Sequence, residues 1–596
     1  MGINATPREI YAERLAERSR QLQELLARRD RFGYIRLLIA LTAIALIWLA
    51  IRGVTPAWLI ALPVAVFIGL VWWQSRIERD AECVRRAIAF YERGVGRLEH
   101  RWQGGGETGE RFSDPHHPYA ADLDLFGRGS LFELLSTART RGGEALLAEW
   151  LKSAAPIDDL RARHEAIGEL RPLLELRERL AVLGDDFRTG VNPENLAAWA
   201  SAPAHPFPAS RRVTASLLAP IAAFVIGWWF ATGFIGIQST RALVATALVE
   251  GAFAYSIRGR IREIVKGINE PAHDLDLLSQ ILATLESCRF QSPRLAALRA
   301  AIDVRGRSAS WRIGRLRRWM ELFDSRDNFI VRALDGPLMW TIQIAMAIEA
   351  WRAENGALIP GWLDAVSEIE ALSSLANYAW EHPGDPLPEF APGAVFDAED
   401  LGHPLLAEER CVRNSVALVA PRQLLVVSGS NMSGKSTLLR AAGVNAVLAL
   451  AGAPVRARRL AISQLSLGAS IRTMDSLEEG HSRFMAEILR LKQILELVPP
   501  AFFLLDELLH GTNSHDRAIG AEGLIRALLK RGAIGLATTH DLSLARVADE
   551  LAPAAENVHF EDRIENGQLV FDYRMRPGVV ARSNALDLMR AVGLDV

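Results

Sequence analysis

The amino-acid sequence predicts a mixed fold: an all-α core and lever that carries two transmembrane helical hairpins, followed by an α/β domain. Three observations lead to this prediction. Long apolar runs, three of them uncharged and the fourth with a single glutamate, occur in two closely spaced pairs before residue 260. The segments between and after them place apolar residues at intervals of three and four, which is the spacing of one helical face. From about residue 391, short β-branched strands alternate with helical segments, as in α/β folds.

Length and composition limit the classes of protein to consider. A chain of 596 residues is too long for one compact domain. Half of its residues are hydrophobic and its formal net charge is -2, which fits a soluble body with a modest membrane insert. The charge balance lacks the basic excess of an avid DNA binder. Three scattered cysteines without metal-binding spacing, and a charged N-terminus unlike a cleavable signal peptide, indicate a reduced, cytosol-facing protein.

The first apolar pair predicts a membrane hairpin over residues 31–76, preceded by a charged helix over residues 1–30. Its uncharged runs, Leu37–Ile51 and Ala57–Trp73, are each slightly shorter than the roughly 20 residues that a membrane-crossing helix needs. Tryptophans near the ends of these runs are typical of the membrane interface. Arginines crowd outside the pair while only Arg52 lies in its turn, so we expect both ends in the cytoplasm. The alternative is a pair of buried core helices.

The second apolar pair predicts another membrane hairpin, over residues 211–258. Val213–Ile237 is the longest uncharged run in the chain. Its partner, Ala242–Ile257, carries Glu250 near its middle and is the weakest of the four spans. Burial inside the protein is again the alternative, and Glu250 is also compatible with a helix that only skims the interface.

The rest of the first 390 residues is predicted to be helical. Periodicity indicates a helical core over residues 77–210 and a helical lever and return over residues 259–390. Two stretches rich in glycine, proline and polar residues, 104–118 and 381–393, predict loops at the boundaries. The last predicted domain covers residues 391–596.

A glycine-rich motif in this last domain predicts a nucleotide site. The stretch "VVSGSNMSGKST" contains G-x-x-x-x-G-K-[ST] between an apolar strand and a helix. Backbone N–H groups of such a loop point at phosphates, and the following helix N-terminus adds a favourable dipole. We expect Lys435 to reach the β- and γ-phosphates of ATP and the Ser436 hydroxyl to ligate Mg²⁺. The expected phosphate-binding residues are Gly429, Ser430, Asn431, Met432, Ser433, Gly434, Lys435, Ser436 and Thr437.

Two further strand ends predict the catalytic groups. "PAFFLLDELLHGT" ends an apolar strand in Asp506 and Glu507, which suits Asp506 to Mg²⁺ and Glu507 to polarising the attacking water. "GLATTHD" gives another strand that ends at His540, where a side chain could sense the γ-phosphate. The competing interpretations are a solvated acidic pair and a structural histidine.

Several stretches share more specific details with one family. Asn431 and Met432 in the phosphate loop, "DELLHGTNSHD" after the acidic strand, and the core segment Leu125–Leu151 all resemble the MutS family of mismatch-repair ATPases. Asp475–Leu495 is similar to that family's form of the ABC signature, with Ser482 at its centre. The resemblance implies an ABC-class P-loop ATPase that acts as a homodimer, with Ser482 of one subunit facing the γ-phosphate bound by the other. A helix cap is the alternative role for Ser482.

Other parts of the chain depart from the family pattern. The charged helix and first hairpin take the place of the mismatch-recognition domain, and the second hairpin interrupts the lever where the family inserts its DNA clamp. Cys411 and Val412 occupy a region where relatives often offer an aromatic ring to the adenine. We also expect no C-terminal helix-turn-helix.

Two functions therefore stay open. The first is a MutS-like DNA-binding or DNA-repair ATPase in the inner (cytoplasmic) membrane, with several spans and with its ATPase domain and both termini in the cytoplasm. The basic, tryptophan-containing run Arg305–Met320 offers contacts to DNA phosphates, although such runs are more often solvated helix faces. The second is a membrane scaffold or remodelling ATPase that does not read mismatches. An ABC transporter is disfavoured because four helices cannot easily form a translocation path and "LSGGQ" is missing.

Overall fold

A computed structural model gives the architecture of the chain. It describes residues 5–183, 193–204, 206–268, 274–304, 306–327, 329–430, 432–472, 483–509, 512–540, 542–565 and 568–579. The chain divides into two compact units. The first unit consists of Met1–Thr137, Glu144–Glu178 and Ala371–Val596, and the second of Ala138–Gly143 and Arg179–Glu370.

The chain begins with two long helices that pack against each other. Helix α1 (Pro7–Ile51) starts at a capping box, in which the Thr6 hydroxyl accepts from the Glu9 N–H and the Glu9 carboxylate accepts from the Thr6 N–H. Its 45 residues correspond to about 68 Å, more than twice the roughly 30 Å of a bilayer core. The charged helix and the first predicted span are therefore one continuous helix. Helix α2 (Ala61–Leu98) returns along it.

A loop and four shorter helices follow. The loop predicted at 104–118 is present and is organised by Glu133, whose carboxylate accepts from the N–H groups of Gly104 (2.5 Å), Gly106 (3.2 Å) and Gly129 (2.7 Å). The helical periodicity after residue 130 is interrupted between α3 and α4, where the Thr140 hydroxyl accepts from the Gly143 N–H at 3.0 Å and starts a new helix. The helices are α3 (Leu131–Leu135), α4 (Arg141–Lys152), α5 (Ile157–Leu170) and α6 (Leu174–Val182).

The second unit is almost entirely helical. A β-hairpin with two residues in each strand, which has Gly306 at a φ of 68° in its turn, is an element that periodicity does not predict. The elements are α7 (Pro193–Ser201), α8 (Ala209–Ala231), α9 (Ile237–Ile268), α10 (Asp274–Glu286), α11 (Pro293–Ile302), β1 (Asp303–Val304), β2 (Arg307–Ser308), α12 (Ala309–Asp324), α13 (Phe329–Leu338), α14 (Trp340–Asn355) and α15 (Ile359–Glu381), the last of which continues into the first unit.

Helices α8 and α9 form the second hairpin, and its foot rests on the N-terminal end of α14. The contacts form one apolar cluster. Its fully buried members are Phe207, Ala215, Ile257, Ile261, Met339, Ala345 and Met346.

Three helices in the described part of the chain are long and apolar enough to cross a membrane. Their best 18-residue windows have mean hydropathies of 2.3 in Pro7–Ile51, 1.7 in Trp58–Leu98 and 1.8 in Ala209–Ala231. The protein buries 0%, 6% and 22% of these windows, respectively. Helix α9, which contains Glu250, is not among them. Composition therefore favours the first hairpin over the second.

The foot of the first hairpin is held within the first unit by buried polar groups. Tyr11 is fully buried and packs against Gly94. A Cβ atom added to Gly94 would lie 2.4 Å from the Tyr11 ring. The Tyr11 hydroxyl donates to Glu381 at 2.9 Å, and Arg97 donates to the same carboxylate through two nitrogens. These charge-assisted bonds fix α1 and α2 to the end of α15.

The C-terminal domain is an α/β fold with a largely parallel sheet. Strands β6, β9 and β10 are buried along their whole length, as expected for a sheet covered on both faces. The six-stranded sheet has the order β12-β11-β6-β10-β9-β8, and a second sheet has the order β3-β7-β4-β5. The elements are β3 (Glu389–Phe390), β4 (Phe396–Leu401), β5 (Asn414–Leu418), β6 (Leu424–Ser428), α16 (Lys435–Ala451), β7 (Arg459–Ile462), β8 (Ser466–Ser470), α17 (Arg483–Leu495), β9 (Ala501–Leu505), α18 (Ser514–Lys530), β10 (Ile534–Thr539), α19 (Leu542–Glu550), β11 (Ala555–Glu565) and β12 (Gln568–Pro577).

Candidate functional site

The glycine-rich motif forms the turn between β6 and α16. Gly429 has a φ of 149°, and a side chain there would meet the Ser433 hydroxyl at 2.8 Å and the Phe560 carbonyl at 3.1 Å. Gly434 caps α16 with a φ of 107°. Both positions require glycine because their backbone angles or their surroundings exclude a Cβ. The strand–loop–helix arrangement that the motif predicts is therefore present.

Lys435 lies at the centre of this turn. Its Nζ donates to the carbonyls of Gly429 and Ser430, both at 2.8 Å, and lies 3.8 Å from Oε1 of Glu507. Burial lowers the pKa of Lys435, while the carboxylates of Glu507 and Asp506 act in the opposite direction. The ammonium group is thus held inside the loop, next to the acidic strand end.

Asp506 and Glu507 follow directly after β9, as the sequence predicts. The hydroxyl of Thr538, on the neighbouring strand β10, donates to Oδ1 of Asp506 and accepts from the Glu507 N–H at 3.0 Å. Glu507 has a φ of 46°, a left-handed conformation that costs a non-glycine residue of order 1–3 kcal/mol. Such strain is concentrated at functional sites, and here it turns the Glu507 carboxylate towards Lys435.

His540 comes directly after β10 and joins the same group. Its Nδ1 lies 3.6 Å from Oε1 of Glu507. The structure thus brings together Lys435, Asp506, Glu507 and His540. Ser482 and Asn431 lie outside the described residues.

A cavity of about 860 Å³ opens beside these groups. The predicted phosphate-binding and metal-binding residues that line it are Ser430, Met432, Gly434, Lys435, Ser436, Thr437 and Asp506, and the predicted catalytic residue Glu507 lines it as well. Cys411 and Val412 line it as well, and so does Tyr573, whose ring would lie 3.2 Å from a Cβ on Gly434. Phe560 of β11 also lines the cavity, so β11 and β12 supply aromatic rings, whereas Cys411 and Val412 do not.

Sequence reasoning missed Tyr573 and Thr538. Tyr573 lies on a strand that pairs with β11, so only the sheet order brings it to the loop. Thr538 lies in the strand "GLATTHD", and its position beside a strand that ends in acidic residues is the signal that could have identified it.

The geometry of this site is similar to that of one class of domain. A parallel sheet, a glycine-rich turn at its carboxyl edge, a buried lysine and an acidic strand end are the arrangement that P-loop domains use to hold phosphate groups.

Part of the chain is similar to known proteins. Residues 425–595 match the MutS domain V model. The chain is 30% identical over 236 residues to the DNA mismatch repair protein MutS of Shouchella clausii, and 31% identical over 236 residues to that of Desulfosudis oleivorans; each match covers 38% of this chain and 27% of the relative. It is 30% identical over 245 residues to endonuclease MutS2 of Thermus thermophilus, which covers 40% of this chain and 31% of the relative.

The chain resembles MutS-family proteins over its C-terminal part. It spans less than a third of the length of these relatives, whose matches cover 27% to 31% of their own sequences.

Proposed function

We propose that the chain is an ATPase whose active site is the cavity at the carboxyl edge of the six-stranded sheet. The observation that carries this proposal is the convergence of three groups: Lys435 Nζ and His540 Nδ1 lie 3.8 Å and 3.6 Å, respectively, from the same oxygen of Glu507. A volume of about 860 Å³ is of the size that nucleotide-sized ligands occupy.

Phosphate binding is supported by unsatisfied polar atoms in the loop. The hydroxyls of Ser430 and Ser433 are buried, and neither has a hydrogen-bond partner among the residues that the structure describes. Buried polar groups normally find partners, so these hydroxyls fit a loop that closes around phosphate oxygens. Lys435, which now donates to two loop carbonyls, would donate to the β- and γ-phosphates instead.

The oxygens of Ser436 and Asp506 suit a divalent cation. Mg²⁺ prefers oxygen ligands and would neutralise charge on the β- and γ-phosphates when bound. Glu507 would orient the attacking water and take its proton, and His540 would contact the γ-phosphate. By family resemblance, hydrolysis takes place at composite sites of a homodimer, with Ser482 supplied by the partner subunit, and drives a change in the lever helices.

Membrane anchoring is supported by the exposed apolar surface of the first hairpin. Side chains such as Leu38, Ile44 and Leu62 are 62–70% exposed, and the protein covers 0% and 6% of the most apolar windows of its two helices. Contiguous apolar patches of this size are unstable in water and mark a membrane or protein interface. We infer that lipid covers the hairpin, with the ATPase domain and both termini in the cytoplasm of a cell with an inner membrane.

A DNA-binding role is supported by the exposed face of α12. Trp311 is 43% exposed, and the guanidinium groups of Arg307 and Arg315 lie 4.8 Å and 5.9 Å from its ring. Arg318 continues the same face one turn further and is also exposed. An aromatic ring between arginines is the chemistry that binds the bases and phosphates of a nucleic acid.

The direction of α12 favours a nucleic acid over lipid headgroups at this face. Trp340 Nε1 donates to the Leu322 carbonyl at 2.8 Å, and Trp351 Nε1 donates to the Arg312 carbonyl at 3.0 Å, so α12 runs antiparallel to α14. The N-terminal end of α14 contacts the foot of the second hairpin. Trp311 therefore lies about 20 Å along the helix from Asp324, the end of α12 nearest the hairpin.

One experiment separates this function from the alternative of a membrane scaffold or remodelling ATPase. ATP hydrolysis by the detergent-solubilised chain is measured with and without duplex DNA, over a salt series, and with and without lipid. Salt-dependent DNA binding with faster hydrolysis supports the DNA-binding ATPase. Hydrolysis that responds to lipid and is equal with and without DNA supports the scaffold.

A further inference from the structure

The segment that follows the first hairpin contacts the C-terminal domain at elements that adjoin the candidate site. We name residues 114–125 the connecting segment. It lies between the end of α2 and the start of α3, and it belongs to the same unit as the α/β domain. Its contacts reach the end of β8, the helix α17 and the phosphate-loop helix α16.

Asp122 makes the most direct of these contacts. Its side chain is 3% exposed, and one carboxylate oxygen accepts from the N–H groups of Ile471 at 2.8 Å and Arg472 at 2.7 Å. Both N–H groups lie just past the end of β8. The neighbouring Asp124 pairs with the Arg472 guanidinium at 2.7 Å and lies 3.9 Å from that of Arg440 on α16.

The end of β8 is in turn bonded to the acidic strand end. The Ser470 carbonyl accepts from the Asp506 N–H at 2.9 Å. Asp506 and Glu507 then share the Thr538 hydroxyl, which donates to the Asp506 carboxylate and accepts from the Glu507 N–H. Hydrogen bonds and the peptide between Ser470 and Ile471 therefore connect the Asp122 carboxylate to Asp506, the expected Mg²⁺ ligand, and to Glu507, the expected base.

The connecting segment also contacts α17. Arg490, on α17, donates to the carbonyls of His117 at 2.6 Å and Pro115 at 2.7 Å. The same helix carries Glu487, a buried carboxylate that accepts from the Leu509 N–H at 2.5 Å, two residues after Glu507. The connecting segment thus contacts both the end of β8 and α17. Each of these elements is hydrogen-bonded to the backbone around Asp506 and Glu507.

We propose that Asp122 is a positioning residue for ATP hydrolysis, which holds the end of β8 and thereby the backbone that presents Asp506 and Glu507. The inference rests on the proposed ATPase function. Asp122 does not line the cavity, and its hydrogen bonds among the described residues go to Ile471 and Arg472, not to Lys435 or the phosphate loop. Its loss should therefore affect turnover more than nucleotide binding.

The test compares substitutions of Asp122 in the full-length, detergent-solubilised protein. Asp122→Ala should lower kcat for ATP by at least about tenfold, since a misplaced catalytic group costs that much or more, while KM stays within about threefold. Asp122→Asn keeps an oxygen acceptor at the same reach and should recover kcat to within about threefold of the wild type. If Asp122→Ala does not fold, Asp122→Glu serves instead, because its longer side chain should displace the end of β8 and lower kcat.

Glu133→Ala is the matched control. Like Asp122, Glu133 is a buried residue whose carboxylate accepts hydrogen bonds from backbone N–H groups. Its partners Gly104, Gly106 and Gly129, however, lie outside the α/β domain. Its removal should lower Tm and leave kcat per folded molecule within about twofold of the wild type. A wild-type kcat in folded Asp122→Ala or Asp122→Glu, or an equal loss of kcat in Glu133→Ala, would overturn the inference. A wild-type protein without ATP turnover would instead overturn the proposed function.

Discussion

The buried strands of the α/β domain and the apolar runs of the first hairpin are both rich in apolar residues but have opposite surroundings. Strands β6, β9 and β10 are buried along their whole length by helices and neighbouring strands. The most apolar window of α1 is 0% buried. Removing apolar surface from water lowers the free energy by roughly 25 cal/mol per Å². The strands are removed from water by the rest of the protein, whereas the apolar part of α1 needs another partner to cover it. The comparison teaches that sequence hydrophobicity alone does not distinguish a core from an anchor.

Replacing leucine by arginine should have different consequences in the α/β domain and in the first hairpin. Leu504→Arg introduces an unpaired charge at a position with 0% exposure and should destabilise the α/β domain by more than about 4 kcal/mol. Leu41→Arg, at a position with 56% exposure, should leave the fold intact and weaken membrane insertion by about 2.5–3.5 kcal/mol. Limited proteolysis and membrane fractionation measure the two effects. An unfolded Leu41→Arg protein would show that the hairpin is a core element.

The second prediction is that nucleotide binding depends on the α/β domain and not on the first hairpin. Lys435→Ala removes the only lysine seen in the described part of the cavity and should weaken ATP binding at least about 100-fold, because its ammonium group is the expected partner of the β- and γ-phosphates. Membrane association should not change. Lys492→Ala is the control, since this exposed lysine on α17 pairs with Glu496. Unchanged affinity in Lys435→Ala, measured by titration with a fluorescent ATP analogue, would contradict the assignment of the loop.

The third prediction separates hydrolysis from binding. Glu507→Gln should keep ATP affinity and lower kcat by about 100-fold or more, because the amide cannot accept the proton of the attacking water. It should also retain ATP in a stable dimer, which light scattering detects. Glu496→Gln, at an exposed position on the same domain, should behave as the wild type. Rapid turnover by Glu507→Gln would rule out Glu507 as the base.

The smallest expected effect concerns α12. Replacing Trp311 and Arg315 together by alanine should weaken duplex DNA binding by about tenfold. It should also reduce the slope of log affinity against log salt concentration by about 1, because the arginine that is lost contacts one phosphate. Arg317→Ala is the control on the same helix, because Arg317 faces Glu321 at 3.3 Å. Fluorescence anisotropy at several salt concentrations measures both quantities. Equal DNA affinity in the double variant would leave α12 as a solvated helix face.

The sequence predicts the α/β domain better than the helical parts because its motifs specify local geometry. Glycines at 429 and 434 and the strand ends at Asp506 and His540 are recognisable by spacing, and the structure has each of them at the expected element boundary. The continuity of α1 from Pro7 to Ile51 follows less directly, because the charged and apolar halves of one helix look like separate elements.

Long-range contacts are the part that sequence reasoning could not supply. Tyr573 reaches the loop only because β12 is added at the edge of the sheet beyond β11. Asp122 reaches β8 across a separation of 349 residues, and no local pattern encodes such a distance. The break between α3 and α4 depends on a hydroxyl cap at Thr140, which competes with helical periodicity and is visible only in part from the sequence.

The most direct test of a membrane-anchored ATPase is a flotation experiment with the purified chain reconstituted in liposomes. Lipid flotation and Mg²⁺-dependent ATP hydrolysis are measured in the same gradient fractions, for the wild type, Leu41→Arg and Glu507→Gln. The account predicts that the wild type floats and hydrolyses ATP in the lipid fraction, that Leu41→Arg floats less, and that Glu507→Gln floats without hydrolysing ATP. Wild-type protein that floats without hydrolysis, or hydrolysis that stays in the lipid-free fraction, would contradict it.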